Sequence, residues 1–555
     1  MPSIVRIPPA PESPLSNAVR IRTRDGVLLA ADLYLPGAPG IVDDSPGDTI
    51  LIRLPYDKSG VYCFIPLIAE YLTQHGYRVL AQDVRGKFRS EGDALLNVNE
   101  VDDGYDTIEW ITQQAWSNGR VAMWGDSYYG YTQWAAASSG HPALKAISPR
   151  VTGTQLGEPV RREASDRTRR VEWGVTYMYP LTQFFENDAL YWEPDWSRRD
   201  FAAQAEAFMT QIGHRGLSYD QWYPNPVLLP RFPQGSPFAG RSVPVLHTIG
   251  WWDNCAPLSW ADVKAIKQHP NWDAHHYLRI EPIDHEGFQL IEADGDRVMD
   301  RTEAQIRALL PRTLDPTLAF FEVFVRGNGS ASDIPRVAWN LAGTEGMRES
   351  ATWPPAGVRT LTRYATADGS LRVERPVEPT TLEWIHDPVD LVPSSVPDAF
   401  AYLLTLPDEA SIGDRDDVLR FDGAVLETDV DLAGPVAVSA RVASDGPVLD
   451  CFVRLLDVAP DGSALRIARG QLQLRDATSP ETLEIDLGHV GYRLRAGHRL
   501  RVHVSSSDYP EFLPQNGTGA DPWTGGELQA NRQRLVVGGA DAFALALTVL
   551  EGELP

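Results

Sequence analysis

The chain has 555 residues, 43% hydrophobic and 23% charged, with a formal net charge of −25 at pH 7. That length exceeds a single hydrophobic core and points to about three or four domains. The acidic excess weighs against nucleic acid or an anionic membrane as partner, no run of 18 apolar residues is present to cross a bilayer, and Cys63, Cys255 and Cys451 are too scattered for a metal-ligand, redox or disulfide framework.

The leading stretch MPSIVRIPPAPESPLSN is Pro-rich and lacks an apolar h-region, so a cytoplasmic location is expected. Val19–Tyr34 reads as a hairpin, two β-like runs flanking Asp25-Gly26. Thr49–Leu54 suits a buried strand and ends at Pro55-Tyr56-Asp57-Lys58-Ser59-Gly60. Helical spacing follows through Ile65, Ile68, Ala69 and Leu72, and Tyr77–Gln82 forms a second buried strand after Gly76. Asp102–Trp116 carries Tyr105, Ile108, Ile111 and Ala115 on one helical face. Val121–Ala137 and the strand Leu144–Pro149 complete a β-α rhythm that predicts an open, mainly parallel, doubly wound sheet.

The rhythm stops near Arg150. Residues 150–241 are rich in Arg, Trp, Tyr and Phe, Trp173 and Trp192 among them, and read as a helical lid whose aromatics build its own core while a few face substrate. Alternation resumes with Pro244–Gly250, a helix around Leu258–Lys267 and the strand His275–Ile280. Beyond Thr352-Trp353-Pro354-Pro355 the chain is β-rich, in runs such as Val436–Val442, Asp450–Leu456 and Leu465–Leu474, which predicts an antiparallel jelly-roll sandwich. The expected organisation is therefore an α/β core over 1–149 and 242–352, a lid over 150–241 and a β domain over 353–555.

The chemistry concentrates at VAMWGDSYYGYTQWAAA (121–137), where an apolar run, a glycine turn carrying Ser127 and a small-residue helix follow one another. This is the order of a nucleophile elbow, in which glycines hold the serine on a strained turn and helix-opening N–H groups face a developing oxyanion. The strict G-x-S-x-G pattern is not met, because Tyr129 occupies the fifth position and the glycine falls at 130; an ordinary turn serine fits the short motif too. A serine nucleophile needs a base and an acid beyond later strand ends, in the order Ser, Asp/Glu, His. Asp253 follows the strand ending at Gly250, and His285 follows the strand ending at Ile280. Among the twelve histidines His285 alone has that order and loop position; Asp284 is a rival acid, poorly placed to orient the adjacent ring. Tyr56 lies just past a strand end, either as an O–H donor to the oxyanion or as a tyrosine bonded to backbone.

With these residues placed, the chain resembles the cocaine-esterase family (the CocE/NonD hydrolases), relatives of X-Pro dipeptidyl-peptidases and α-amino-acid ester hydrolases. The matching segments are RDGVLLAADLYLP (24–36), RLPYDKSG (53–60), GYRVLAQDVRGKFRSEGD (76–93), residues 100–137, GWWDN (250–254) and AGHRLRVHVSSSDYP (496–510). The G-x-S-Y-x-G elbow is this family's form. The resemblance implies a triad of Ser127, Asp253 and His285, an oxyanion hole from the Tyr56 hydroxyl and the Tyr128 N–H, a helical lid and a C-terminal jelly roll. One departure stands out: the family carries Gly-Pro-Trp where this chain has Glu281-Pro282-Ile283. The acidic neighbours Asp284 and Glu286 are expected to raise the imidazole pKa. Asp83, Arg85, Gly86, Arg89 and Glu91 also match, and read as an ion-pair network at the sheet mouth.

The expected activity is ester hydrolysis through an acyl-serine, with neither metal nor cofactor and with a small-molecule ester as substrate; some amides, and acyl transfer to an alcohol, stay open, as does a homodimer. Trp252 and Trp173 are the substrate-binding candidates. A peptidase or amino-acid ester hydrolase is the alternative, for which Glu158, Glu163 and Asp166 would bind a free amine. An inert hydrolase fold serving a carbohydrate-binding module is the reading from another class.

Overall fold

Asp25-Gly26 closes the expected hairpin: β1 (Asn17–Arg22) pairs antiparallel with β2 (Leu28–Tyr34), and Gly26 takes φ +94° at the turn. The coordinates are a computed structural model that describes all but residues 1–3, 39–40, 61, 159–165, 186–188, 225–228, 286–301, 396–406 and 555. The chain divides into two units, one of residues 1–158, 177–193 and 212–338, the other of residues 159–176, 194–211 and 339–555.

The first unit is built on β3 (Gly47–Leu54), β4 (Arg78–Asp83), β5 (Ser117–Asp126), β6 (Leu144–Arg150), β7 (Val245–Gly250) and β8 (His276–Glu281). With the hairpin they lie in the order β8-β7-β6-β5-β3-β4-β2-β1, parallel from β8 to β4 and antiparallel at the hairpin. The alternation of side chains along β3 explains why both faces must be covered. Ile50, Ile52 and Leu54 share a core with α1 (Ile65–Gln74) and α6 (Glu303–Phe321), whereas Leu51 joins α2 (Glu100–Thr112) and α3 (Ser127–Ser138) on the other face. The central strands β3 and β5 are neighbours, so the loops after them open side by side at the carboxyl edge, where open α/β sheets bind ligands.

Helix α6 is absent from the sequence reading, since Pro311 and Pro316 lie inside it. It starts at a capping box, in which the Thr302 side chain accepts from the Gln305 N–H and the Gln305 side chain returns to Thr302.

Within 150–241, residues 177–193 and 212–241 belong to the first unit, while 159–176 and 194–211 belong to the second. The short strand Thr168–Arg169 explains part of that division, because it pairs with Leu474 and Gln473 at the edge of a β-domain sheet.

The second unit is an antiparallel sandwich. One sheet contains Ala464–Arg475, Val448–Val458 and Arg499–Ser505; the other is centred on Val430–Ser444, flanked by Ala544–Glu551, Asn531–Val537 and Glu481–Leu494. Alternate residues of each fill one core, Leu449, Cys451, Val453 and Leu455 meeting Val436, Val438, Ala440 and Val442. No helix among the described residues is long and apolar enough to cross a membrane.

Candidate active site

Strand β5 delivers the first residue of the site. Ser127 sits at φ +51°, a left-handed conformation that a serine adopts only under constraint, and opens helix α3. The glycines around it are required by close approach. A Cβ on Gly125 (φ +154°) would stand 2.1 Å from the Tyr129 ring, and one on Gly130 would stand 2.7 Å from the Thr152 methyl. The glycine at 130 therefore serves a contact with the strand β6 exit, and position 129 is free to carry an aromatic ring.

Strands β7 and β8 supply the partners. His285 Nε2 lies 2.8 Å from Ser127 Oγ, and His285 Nδ1 lies 2.8 Å from Asp253 Oδ1. The Cys255 N–H donates to the same Asp253 oxygen at 2.9 Å, fixing a carboxylate that is 4% exposed. The loop carrying His285 is seated on β7: the Trp252 N–H donates to the Ile283 carbonyl at 3.2 Å, and a Cβ on Gly250 would come within 2.5 Å of that oxygen. Glu281, in the departing Glu281-Pro282-Ile283, turns to Arg279.

Burial opposes charge on His285, but Cys255 and the hydrogen-bonded Asp253 carboxylate outweigh it and hold the imidazole well above its ordinary range. The direction is the expected one, and its largest described causes are Cys255 and Asp253. Asp284 is buried beside the ring in sequence, and Glu286 lies outside the described residues.

Tyr56 reaches the same place from the end of β3. Its hydroxyl lies 2.5 Å from the Tyr179 hydroxyl and has Ser127 as its other hydrogen-bond partner; burial pushes its pKa up to about 12, so it stays an O–H donor at neutral pH. Tyr128 is the second residue of α3, where helix N–H groups have no intrahelical acceptor. Its side chain points away from the reaction, donating to Glu100 at 2.8 Å and accepting from the Asn97 N–H at 2.9 Å. Sequence reasoning missed Tyr179, whose helix (Val175–Thr182) carries no motif, and Cys255, whose place beside a charged pair only the fold reveals.

A cavity of about 90 Å³ opens onto Ser127 and His285. Its walls are mostly apolar: Phe64 and Ile68 from the start of α1, Trp124 and Tyr129 from the elbow, and Ile306, Leu309, Leu310 and Leu314 from α6, with Tyr62 and Thr313 as uncharged polar members. Asp126 is the one carboxylate among the described lining residues, and it is committed to the buried Arg150 guanidinium at 2.8 Å. Neither tryptophan singled out for substrate lines this cavity. Trp252 is half-buried on the β7 loop, and Trp173 belongs to the second unit, stacked on Phe512 with its N–H directed to Glu511 at 3.4 Å. Glu158 faces Arg231 at 3.7 Å, Asp166 is exposed in the second unit, and Glu163 lies outside the described residues.

The matched charged residues form an ion-paired scaffold that runs from the buried Asp83 to the exposed Glu91. Lys58 bridges Asp32 (3.0 Å) and Asp83 (3.8 Å), Arg85 pairs with Asp103 and Asp25, and Arg89 lies 3.7 Å from Asp57. The Glu91 carboxylate accepts the Leu28 N–H, and a Cβ on Gly86 would collide with the Ala94 nitrogen at 2.2 Å.

Comparison with known proteins agrees with this architecture. Residues 25–287 match the X-Pro dipeptidyl-peptidase (S15) family, and residues 328–543 match the X-Pro dipeptidyl-peptidase C-terminal non-catalytic domain. The chain is 30% identical to cocaine esterase from Rhodococcus sp. (strain MB1 Bresler), over 91% of this chain and 93% of that one. The chain belongs to the cocaine-esterase (CocE/NonD) family. As a member of that family it is a serine ester hydrolase, with an α/β-hydrolase domain, an inserted helical segment and a C-terminal jelly roll. Solved structures that share its fold include an aminopeptidase from a Thaumarchaeota archaeon of marine sediment (21% identical, TM-score 0.79, 98% of each chain) and an α-amino acid ester hydrolase (23% identical, TM-score 0.77, 96% of each chain).

Proposed function

We propose that Ser127, His285 and Asp253 are the catalytic triad of this family member and that it hydrolyses small uncharged carboxylic esters. The observation that carries the reading is the continuous chain from Asp253 through His285 to Ser127, with 2.8 Å at each step. Ser127 Oγ attacks the ester carbonyl carbon while His285 Nε2 takes its proton, and Asp253 holds the ring and stabilises the imidazolium. The oxyanion accepts the Tyr56 O–H and the Tyr128 N–H. Collapse of the tetrahedral intermediate expels the alcohol, which receives the proton from His285. Water, activated by the same base, then attacks the acyl-serine and returns the free enzyme and a carboxylic acid.

The substrate class follows from charge. Capture of a free α-amine, as an X-Pro dipeptidyl-peptidase or amino-acid ester hydrolase requires, needs an unpaired carboxylate near the acyl group. The Asp126 charge is cancelled by Arg150, and the remaining walls named above are uncharged. An uncharged acyl group desolvates there at least cost. A fluorophosphonate probe tests the reading directly: it labels the wild type, and Ser127→Ala abolishes both labelling and ester hydrolysis. Equal labelling of the two proteins defeats it, and faster turnover of free-amine esters than of N-blocked ones moves the activity to the peptidase branch.

A further inference from the structure

Cys255 takes no part in this chemistry, yet its free thiol is 2% exposed and sits against both charged members of the triad. One donor atom each from Asp253, Cys255 and His285 lies within 4.8 Å of the other two. A second observation marks the place as a ligand set. Asp253 Oδ2 is buried without a hydrogen-bond partner among the described residues, although buried carboxylate oxygens are ordinarily satisfied. We propose that Asp253, Cys255 and His285 form an inhibitory binding site for a zinc-class divalent cation.

The donor set decides the metal. Thiolate, imidazole and carboxylate are the ligands zinc takes in tetrahedral sites, at about 2.3, 2.0–2.1 and 2.0–2.2 Å, which places donors about 3.4–3.6 Å apart. Side chains within 4.8 Å of one another reach that span by closing roughly an ångström, and water fills the fourth position. Hard cations such as Mg²⁺ prefer six oxygens and gain nothing from the sulfur. Coordination releases the thiol proton and consumes a ring nitrogen of His285. A metal on Nδ1 leaves the ring proton on Nε2, and a metal on Nε2 occupies its lone pair; either way the ring cannot take the Ser127 proton. The inhibition rests on the triad reading, whereas the binding does not.

Titration of the full chain with Co²⁺, a coloured stand-in for zinc, separates the two. Wild type and Ser127→Ala should both develop thiolate-to-cobalt absorption, and Cys255→Ser and Cys255→Ala should not. Zn²⁺ should inhibit wild-type ester hydrolysis reversibly by EDTA, with Mg²⁺ inert. Each cysteine variant, measured against its own metal-free rate, should need at least about tenfold more Zn²⁺ for half inhibition. Absence of the absorption in wild type, or unchanged zinc sensitivity in both cysteine variants, overturns the site. Retention of esterase activity by Ser127→Ala overturns the triad reading instead, and leaves the cobalt signal intact.

Discussion

The Tyr56 hydroxyl lies 2.5 Å from the Tyr179 hydroxyl, across 123 residues of sequence. The Tyr179 contact aims the phenol of Tyr56, and burial keeps that phenol protonated. If Tyr56 is the side-chain donor to the oxyanion, Tyr56→Phe should lower kcat by about 10²–10³-fold with little change in KM, the cost of one such donor. Tyr179→Phe removes an aiming contact and leaves the donor, so its loss should be smaller, about tenfold. Steady-state kinetics on one ester with both variants checks the ranking. Equal losses would make Tyr179 the donor.

Asp253 should act through the ring it holds. Asp253→Asn leaves the shape of the site and removes the charge that fixes the tautomer and raises the His285 pKa. In a Ser-His-Asp site that change costs about 10⁴ in kcat. Its pH signature is independent of that loss. The base must be neutral to work, so a raised imidazole pKa puts the ascending limb of kcat/KM above the ordinary histidine range. Taking the negative charge away should move that limb to lower pH. A pH–rate profile of the residual activity reads the shift, and an unmoved limb would mean that the Asp253 charge does not set the ring's pKa.

The parts of the site legible in the sequence are those governed by local chemistry and by order. Ser127 is announced by glycines that the backbone requires, and Asp253 and His285 by their places just beyond strand ends. The β-rich half is legible where a run is apolar and wholly buried, as in Val448–Val458, and lost where a strand is largely exposed, as in Thr380–His386. What stayed hidden depends on packing between distant segments. Pro311 and Pro316 mask the helix whose Ile306, Leu310 and Leu314 wall the cavity. Trp173, one of the aromatics of the expected lid, has its ring stacked on Phe512 in the second unit, a contact that its place in the sequence does not show. Nothing in the spacing of Cys255 from Asp253 shows that a histidine 30 positions later joins them.

No unpaired carboxylate stands among the cavity's described lining residues, and one can be introduced. Leu309 is half-buried on α6 and lines the cavity, so replacement costs less packing than at the buried Leu310. Leu309→Glu introduces a carboxylate with no arginine committed to it. The ratio of kcat/KM for a free-amine α-amino ester over its N-acetyl counterpart should rise by about tenfold, the scale of one partly screened ion pair at about 1.4 kcal/mol. Rates on both esters provide the test. A fall for both in equal proportion would mean that the acyl group does not lie along α6.

The stability of the first unit depends on pH through one buried carboxyl. Asp262 is buried, and its partners are the neutral hydroxyl (2.6 Å) and N–H (2.7 Å) of Thr154. Burial without a cation pushes its pKa up to about 7. In the unfolded chain an aspartate titrates near 4. Between about pH 4 and 7 the folded state therefore binds the proton that the unfolded state has released. The protonated acid's stabilisation is complete below pH 4 and is lost as pH rises through 7. Asparagine at 262 keeps a carbonyl for the Thr154 N–H and an amide for its hydroxyl, and it does not titrate. The stability of wild type relative to Asp262→Asn should then fall between pH 5 and pH 8, by on the order of 2 kcal/mol. Urea unfolding of both proteins at the two pH values measures that difference, and a pH-independent gap would show that Asp262 is ionised in the folded state throughout.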